Sequence, residues 1–117
     1  MSESWKKSQR LIVTIVKKGK AKKICEAAKC TGAEGGTTIM GKGTSIKAFK
    51  KLFGITLDED REVVFTITSS DLEDKIFNEI IEKGELNKPG KGIVFVMDLK
   101  KVEGIVHLLK GAQVESD

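Results

Sequence analysis

The sequence is poor in the residues from which catalytic and metal sites are usually built. Of its 117 residues, one is histidine, two are cysteine and none is tyrosine. No Asp, Cys or Ser is arranged around His107 as a catalytic group requires, so we expect a packed or surface residue there rather than a catalytic one. Cys25 and Cys30 lack the paired spacing of a zinc site. We therefore predict reduced thiols and no metal centre.

Long apolar runs are also missing. Runs such as residues 93–97 fall far below the roughly 20 residues of a membrane-spanning helix, and no signal-peptide core is present. We expect a cytoplasmic protein without membrane insertion. A hydrophobic content of 39% and a charged content of 32% fit one globular domain over residues 1–117. The net charge of +4 suits an anionic ligand or an acidic partner without requiring nucleic acid.

Hydrophobic periodicity predicts four strands and two helices. β-Branched runs predict strands at residues 10–16, 37–40, 61–68 and 93–98. Apolar residues at helical spacing predict helices at residues 21–29 and about 71–83, with Ser70 or Asp71 as the cap of the second and Gly84 as its stop. Residues 1–9 are predicted as an N-terminal extension, 102–109 as an extra C-terminal turn or strand, and 110–117 as a tail.

This order of elements predicts an α+β, ferredoxin-like βαββαβ sandwich. Its sheet is antiparallel and four-stranded, with both helices on one face. Because apolar residues occupy both parities of the strands, the uncovered face needs a partner, and self-association into a cyclic homo-oligomer is expected. Met40 and Met97 lie in strand patterns and are predicted to be core residues.

Two glycine-rich stretches are candidates for ligand contact. Gly90 and Gly92, entered through Pro89, can form a loop whose backbone N–H groups surround an anion. A plain helix-to-strand connection would need the same residues. Residues 41–45 are predicted as a second glycine loop, followed by a long segment, 43–60, that we predict to face a partner.

Several separated motifs resemble the PII nitrogen regulatory signal-transduction proteins. They are residues 11–17 (LIVTIVK), the glycine pair at 41–43, the long segment, and residues 90–102 (GKGIVFVMDLKKV), which agree in order and spacing over about residues 10–109. The resemblance implies a homotrimer of ferredoxin-like subunits that is not a conventional enzyme and has no catalytic residues. Such proteins bind adenine nucleotides in clefts between subunits and contact targets through a long T-loop, matched here by residues 43–60.

The resemblance also implies particular site residues. The matching nucleotide-binding positions are Gly41 and Gly43 at the base of the long loop, Arg61, which stands where the family has a lysine, and Gly90 and Gly92 in the phosphate-holding B-loop. Lys88 and Lys91 do not match family residues, but they are added as nucleotide-binding candidates because they could supply charge nearby. The partner-binding loop positions are Thr44, Ser45, Lys47, Phe49, Lys50 and Phe53. The expected effector is ATP, ADP or AMP, and the expected target is a membrane transporter or a metabolic enzyme.

The sequence departs from the family at four positions. Ile93 replaces a lysine that follows the B-loop, Gly104 and Val106 replace two arginines, and Ser45 replaces a glutamine that helps to hold 2-oxoglutarate. Each charge-assisted hydrogen bond lost from such a site weakens binding by about 1.5–3 kcal/mol. We expect a divergent PII-like member with weaker ATP binding, a preference for ADP or AMP, another anionic ligand, or none.

Two other function classes stay open. A ferredoxin-like module without nucleotide sensing would bind protein or RNA, but RNA recognition wants spaced aromatics on the central strands. Only Phe65 and Phe95 are available, so nucleic acid is disfavoured. An acylphosphatase-like enzyme would need an arginine and an asparagine on an early glycine loop, and residues 17–20 (KKGK) contain neither.

Overall fold

A computed structural model describes residues 9–33, 35–44 and 58–104. We number the elements in chain order. They are β1 (Gln9–Lys17), α1 (Ala21–Thr31), β2 (Gly36–Thr44), β3 (Asp58–Ser69), a 3-10 turn (Ser70–Leu72), α2 (Glu73–Gly84) and β4 (Gly92–Asp98).

The four strands form one antiparallel sheet in the order β2-β3-β1-β4. Both helices pack on the same face of this sheet. The core between the two layers contains buried aliphatic residues from both, namely Ile12, Val16, Val64, Ile24, Ile76 and Ile80. This arrangement confirms the predicted ferredoxin-like fold. Neither described helix is long and apolar enough to cross a membrane.

Helix α1 follows the sequence pattern closely. Ala21, Ile24 and Ala28 are buried at helical spacing, as the periodicity predicts. Gly32 takes a left-handed φ of 119° after the last helical residue. Its N–H donates to the carbonyl of Lys29 at 3.1 Å, and the next N–H donates to the carbonyl of Ala28 at 2.9 Å. These two bonds are the usual way in which a glycine ends a helix.

Helix α2 differs from its prediction at both ends. Neither Ser70 nor Asp71 caps it, because these residues form the 3-10 turn that precedes the helix. Gly84 is the last helical residue, and Glu85 takes the left-handed position after it, with φ of 55°. A Cβ on Gly84 would lie 2.9 Å from Cδ1 of Ile24. The glycine is therefore used for close helix packing rather than for the turn.

Several strand ends also differ. Gln9 is 1% exposed and begins β1, so it is not part of a loose extension. The predicted glycine loop at 41–45 is wrong over residues 41–44, because these residues pair with β3 and continue β2. Residues 58–60 likewise belong to β3. The rest of the predicted long loop, residues 45–57, lies outside the described residues, as do 1–8 and 105–117.

The second face of the sheet carries a continuous set of apolar side chains, which we call the open face. Its members alternate with the core residues along each strand: Leu11, Val13, Ile15, Ile39, Val63, Phe65, Ile67, Ile93, Phe95 and Met97. Met97 is 50% exposed on this face, and Met40 is 54% exposed on the helix side of edge strand β2. The prediction that both methionines are core residues is therefore wrong for the single chain.

Candidate functional site

The predicted nucleotide-binding residues lie at one end of the sheet, but at two separate corners. In the strand register, Gly41 is opposite Arg61 on neighbouring β3. At the other edge of the sheet, Gly92 is opposite Val16 of β1. Neighbouring strands are about 4.8 Å apart, so the edges β2 and β4 are separated by roughly 14 Å. A single phosphate group cannot touch both corners of one chain.

The first corner holds Gly41, Gly43 and Arg61. The Arg61 side chain lies across Gly43, since a Cβ on that glycine would be 3.1 Å from Cγ and Nε of the arginine. Nη1 of Arg61 donates to Oε1 of Glu59 at 2.8 Å. The guanidinium that the family resemblance places near a phosphate therefore already has a carboxylate partner, and an incoming anion must compete with that carboxylate.

A second ion pair lies beside the first. Nζ of Lys42 is 2.9 Å from Oδ1 of Asp60, and Nζ of Lys18 is 4.0 Å from Oδ2. The hydrogen bond and charge of Lys42, with a smaller contribution from Lys18, lower the pKa of the Asp60 carboxyl. These contacts are exposed to solvent, so they orient the side chains at this end of the sheet more than they stabilise the fold.

The second corner is the loop between α2 and β4. Gly90 and Gly92 have φ of 80° and 143°, which a glycine adopts without strain. A Cβ on Gly92 would collide with the carbonyl oxygen of Ile15. The N–H groups of Lys88 and Lys91 donate within the loop, at 3.0 and 3.4 Å. The glycine geometry agrees with the predicted loop, but these two amides are not open to a ligand.

Glu85 supplies a counter-charge within this loop. Its Oε1 lies 3.8 Å from Nζ of Lys88 and 3.6 Å from Nζ of Lys91. The charge of Lys88, followed by that of Lys91, lowers the pKa of the Glu85 carboxyl, and Lys23 adds a smaller effect. Both lysines predicted to hold phosphate thus share one internal acid.

A cavity of about 180 Å³ opens on the helix side, between the first turn of α1 and the end of α2. Four of its seven lining residues are lysines; the lining consists of Val16, Lys17, Lys20, Lys23, Gly84, Glu85 and Lys91. Of these residues, only Lys91 was identified from the sequence as a site residue. The signal that could have indicated the other lysines is the dense run KKGKAKK at residues 17–23, in which lysines recur at every third position, 17, 20 and 23.

The N-terminus of α1 is already occupied by an acid of the chain itself. Oε1 of Glu62 accepts hydrogen bonds from the N–H groups of Gly19 at 3.0 Å and Ala21 at 2.8 Å. An external anion therefore does not find free helix N–H groups at these two positions, and the lysine side chains remain the groups that can attract it.

One residue of the predicted partner-binding loop, Thr44, lies within the described residues. Thr44 ends β2, while the other partner-loop residues, Ser45, Lys47, Phe49, Lys50 and Phe53, lie outside the described residues. His107 and Val106 also lie outside. Within ranges 9–33, 35–44 and 58–104, no group of three His, Cys, Asp or Glu side chains is arranged to hold a metal ion.

Comparison with known proteins identifies the fold but no family. No protein-family model matches the chain, and no curated protein matches it. Among solved structures, a Bacillus cereus protein related to NIF3 superposes with a TM-score of 0.63 and 16% identity, over 83% of this chain and 27% of that one. Arabidopsis thaliana PII bound to citrate gives 0.61 and 18%, over 84% and 83%. The chain therefore has a PII-like fold, which it shares with these two proteins.

Proposed function

We propose that this chain is a PII-like, nitrogen-regulatory signalling protein of the cytoplasm rather than an enzyme. It acts as a homotrimer that senses an adenine nucleotide, ATP, ADP or AMP, or a related anionic metabolite between its subunits. Its long loop then regulates a target protein, a membrane transporter or a metabolic enzyme.

The position of the α2–β4 loop beside the open face supports this proposal. Gly92 begins β4, and the next residue, Ile93, is 54% exposed on the open face. Large exposed apolar patches of this kind usually mark protein interfaces. A second copy covering that face would reach the loop that contains Gly90 and Lys91, so that a ligand held there would contact two subunits.

The similar structures support an anionic ligand. The Arabidopsis PII protein carries citrate, which is an anion, on the fold that this chain shares. In the present chain, Lys88 and Lys91 supply positive charge in the α2–β4 loop, although both already pair with Glu85. We therefore expect adenine nucleotides to bind more weakly than a site with unpaired cations would allow.

The long loop supplies the route to a target. β2 ends at Thr44 and β3 begins at Asp58, at the same end of the sheet as Gly43 and Arg61, and the long loop of the proposal lies between these two residues in the sequence. A ligand regulates such a loop only if it binds one loop arrangement more tightly than another. Binding near the sheet end and partner contact by the loop would then be coupled.

Isothermal titration tests the sensing function. The protein is titrated with ATP, ADP, AMP, and ATP together with 2-oxoglutarate, and the titrations are repeated on Gly90→Trp, which fills the loop. Gly19→Trp is the matched control, because Gly19 has a similar φ of 94° and also has no atom within 4 Å of an added Cβ. We expect micromolar binding that is lost in Gly90→Trp and kept in Gly19→Trp. Absence of binding at millimolar nucleotide would reject nucleotide sensing.

One observation favours the second candidate, RNA binding. Val13 on β1 is opposite Phe65 on β3 and also opposite Phe95 on β4, so both rings lie in one row of the open face. Aromatic rings on a sheet surface can stack with bases. Binding to single-stranded RNA that falls steeply with salt and is lost in Phe95→Ala would support this candidate over the first.

A further inference from the structure

We propose that the cavity between α1 and α2 binds a small polyvalent oxyanion of pyrophosphate size. We call it the lysine cavity; the lysines in its lining are Lys17, Lys20, Lys23 and Lys91. The cavity shares Lys91 with the proposed nucleotide site, but Lys20 and Lys23 lie on the helix side and belong to no predicted nucleotide-binding position, so the inference does not rest on nucleotide sensing.

The lining of the cavity is rich in positive charge. Four lysines and one glutamate line the cavity, so its lining residues carry an excess of three positive charges. Lys17 has the strand parity of the open face, so Lys20, Lys23 and Lys91 are the cations on which the proposal rests. Glu85 is 3.6 Å from Lys91 but is also shared with Lys88 outside the cavity. Among the described residues, neither Lys20 nor Lys23 has a carboxylate at ion-pair distance. Mutual repulsion between these ammonium groups would be relieved by an anion carrying several charges.

The backbone brings these lysines to one opening. The N–H of Lys20 donates to the carbonyl of Lys17 at 3.1 Å, which closes a tight turn at the end of β1. Lys23 follows in the first turn of α1, and Lys91 approaches from the loop that leaves α2. Ammonium groups on flexible stems bind phosphate oxygens as point charges, so they need no fixed planar geometry.

The size of the cavity narrows the ligand class. A volume of about 180 Å³ is below the roughly 300–1,000 Å³ of pockets that enclose drug-sized ligands. A complete nucleotide is too large to be enclosed, whereas a small oxyanion is not. Val16 and Gly84 contribute no charge to the lining, so specificity would come from charge and size alone.

The location keeps the site accessible when the open face is covered. Val16 belongs to the helix-facing side of β1, with its neighbours in the core between the layers. Self-association through the opposite face would therefore leave the mouth of the lysine cavity in solvent. An anion bound there would contact β1, α1 and the α2–β4 loop of one chain.

The test is a titration of the full chain with sodium pyrophosphate, followed by backbone amide NMR shifts and by calorimetry. The cavity variant combines Lys20→Gln with Lys23→Gln. The matched control combines Lys22→Gln with Lys29→Gln, which removes the same charge from exposed positions of α1 outside the cavity. All four positions are exposed, so neither variant should prevent folding.

We expect saturable pyrophosphate binding that shifts the amides of the cavity lining. Affinity should fall about tenfold or more in the cavity variant and less than about threefold in the control. Orthophosphate, with fewer charges, should bind more weakly, and raising the ionic strength to about 0.15 M should weaken both.

Three results would overturn the assignment. One is the absence of saturable binding, and another is equal loss of affinity in the two double variants, which would show attraction by net charge alone. The third is ADP shifting the same amides as tightly as pyrophosphate does. That outcome would assign the lysines to the phosphates of a nucleotide and contradict the size argument.

Discussion

Oε1 of Glu62 accepts a hydrogen bond of 2.8 Å from the N–H of Ala21, the first residue of α1. The same oxygen accepts a second bond from Gly19. Lys20, at the N-cap position, makes no side-chain capping bond. A carboxylate from β3 therefore replaces the missing cap and joins the central sheet to the start of a helix.

Removing this carboxylate should destabilise the domain. We expect Glu62→Ala to lower the free energy of unfolding by about 1–2 kcal/mol, in the range of lost helix caps. Glu62→Gln keeps an acceptor oxygen and should lose less. Urea unfolding followed by circular dichroism measures both, with the exposed Glu82→Ala on α2 as control. An Ala variant no less stable than that control would show that the bond contributes nothing.

Replacing Thr14 should increase the stability of the domain. Its side chain is fully buried, and its Oγ1 finds no hydrogen-bond partner among the described residues. Thr14→Val replaces the hydroxyl by a methyl of similar shape, so we expect stability to rise by about 1 kcal/mol. Thr68→Val is the matched control, because buried Thr68 donates to the carbonyl of Ser69 at 3.3 Å. In thermal unfolding, the midpoint temperature should rise for Thr14→Val and not for Thr68→Val. A lower midpoint for Thr14→Val would show that the Thr14 hydroxyl has a hydrogen-bond partner.

The two glycines of the α2–β4 loop should respond differently to alanine. Gly90 has open space where a Cβ would be, so Gly90→Ala should lower the free energy of unfolding only by the cost of a left-handed backbone at alanine, about 1–2 kcal/mol. At Gly92, the added carbon meets the carbonyl oxygen of Ile15 and also Val16. Gly92→Ala should therefore cost clearly more and shift β4 amides in NMR spectra. Equal losses for the two variants would contradict this packing.

Self-association is testable with the two exposed methionines. Light scattering should give a wild-type mass about three times the chain mass of 12.8 kDa. Met97→Lys introduces a charge into the open face and should reduce the mass toward that of one chain. Met40→Lys, with similar exposure on the other side of the sheet, should leave the assembly intact. Dissociation by both variants, or by neither, would place the interface elsewhere.

The Glu85 carboxyl should titrate below its ordinary pKa of 4.5, because Lys88 and Lys91 favour its charged form. A lowered folded-state pKa gives stability that is present above the unfolded pKa and is lost as the pH falls through the folded one. The group is exposed, so the effect on stability is small. NMR titration should give a higher Glu85 pKa in the double variant Lys88→Gln and Lys91→Gln than in the wild type. The control variant Lys75→Gln should leave this pKa unchanged. An unchanged value in the double variant would exclude these ion pairs in solution.

The sequence was sufficient for the fold because its strands are marked by strong apolar runs. The structure confirms the predicted sheet and places both helices on one face. The main local error was at Gly41 and Gly43, where glycine suggested a loop. An edge strand also accepts glycine, and here the missing side chain leaves room for Arg61, a contact between β2 and β3 that local patterns do not contain.

The candidate site was less predictable for a related reason. Gly90 and Gly92 adopt positive φ angles, a conformation that glycine favours, so the turn that they form could be predicted from the sequence. Lys20 and Lys23 are more than 60 residues away from Lys91, and only the packing of α1 beside the end of α2 brings them to one cavity. The carboxylates that neutralise Arg61 and Lys91 could not be foreseen either, because side-chain pairing depends on the final geometry.

Glu85 has opposite effects on the stability of the domain and on the charge of the α2–β4 loop. Glycine or asparagine would fit its left-handed backbone better than glutamate does, so Glu85→Gly should raise the thermal stability of the domain. The same change would release Lys88 and Lys91 from their common acid and alter how strongly this end of the molecule attracts anions. Selection for thermal stability would therefore favour glycine at position 85, whereas selection for weaker anion attraction would favour glutamate.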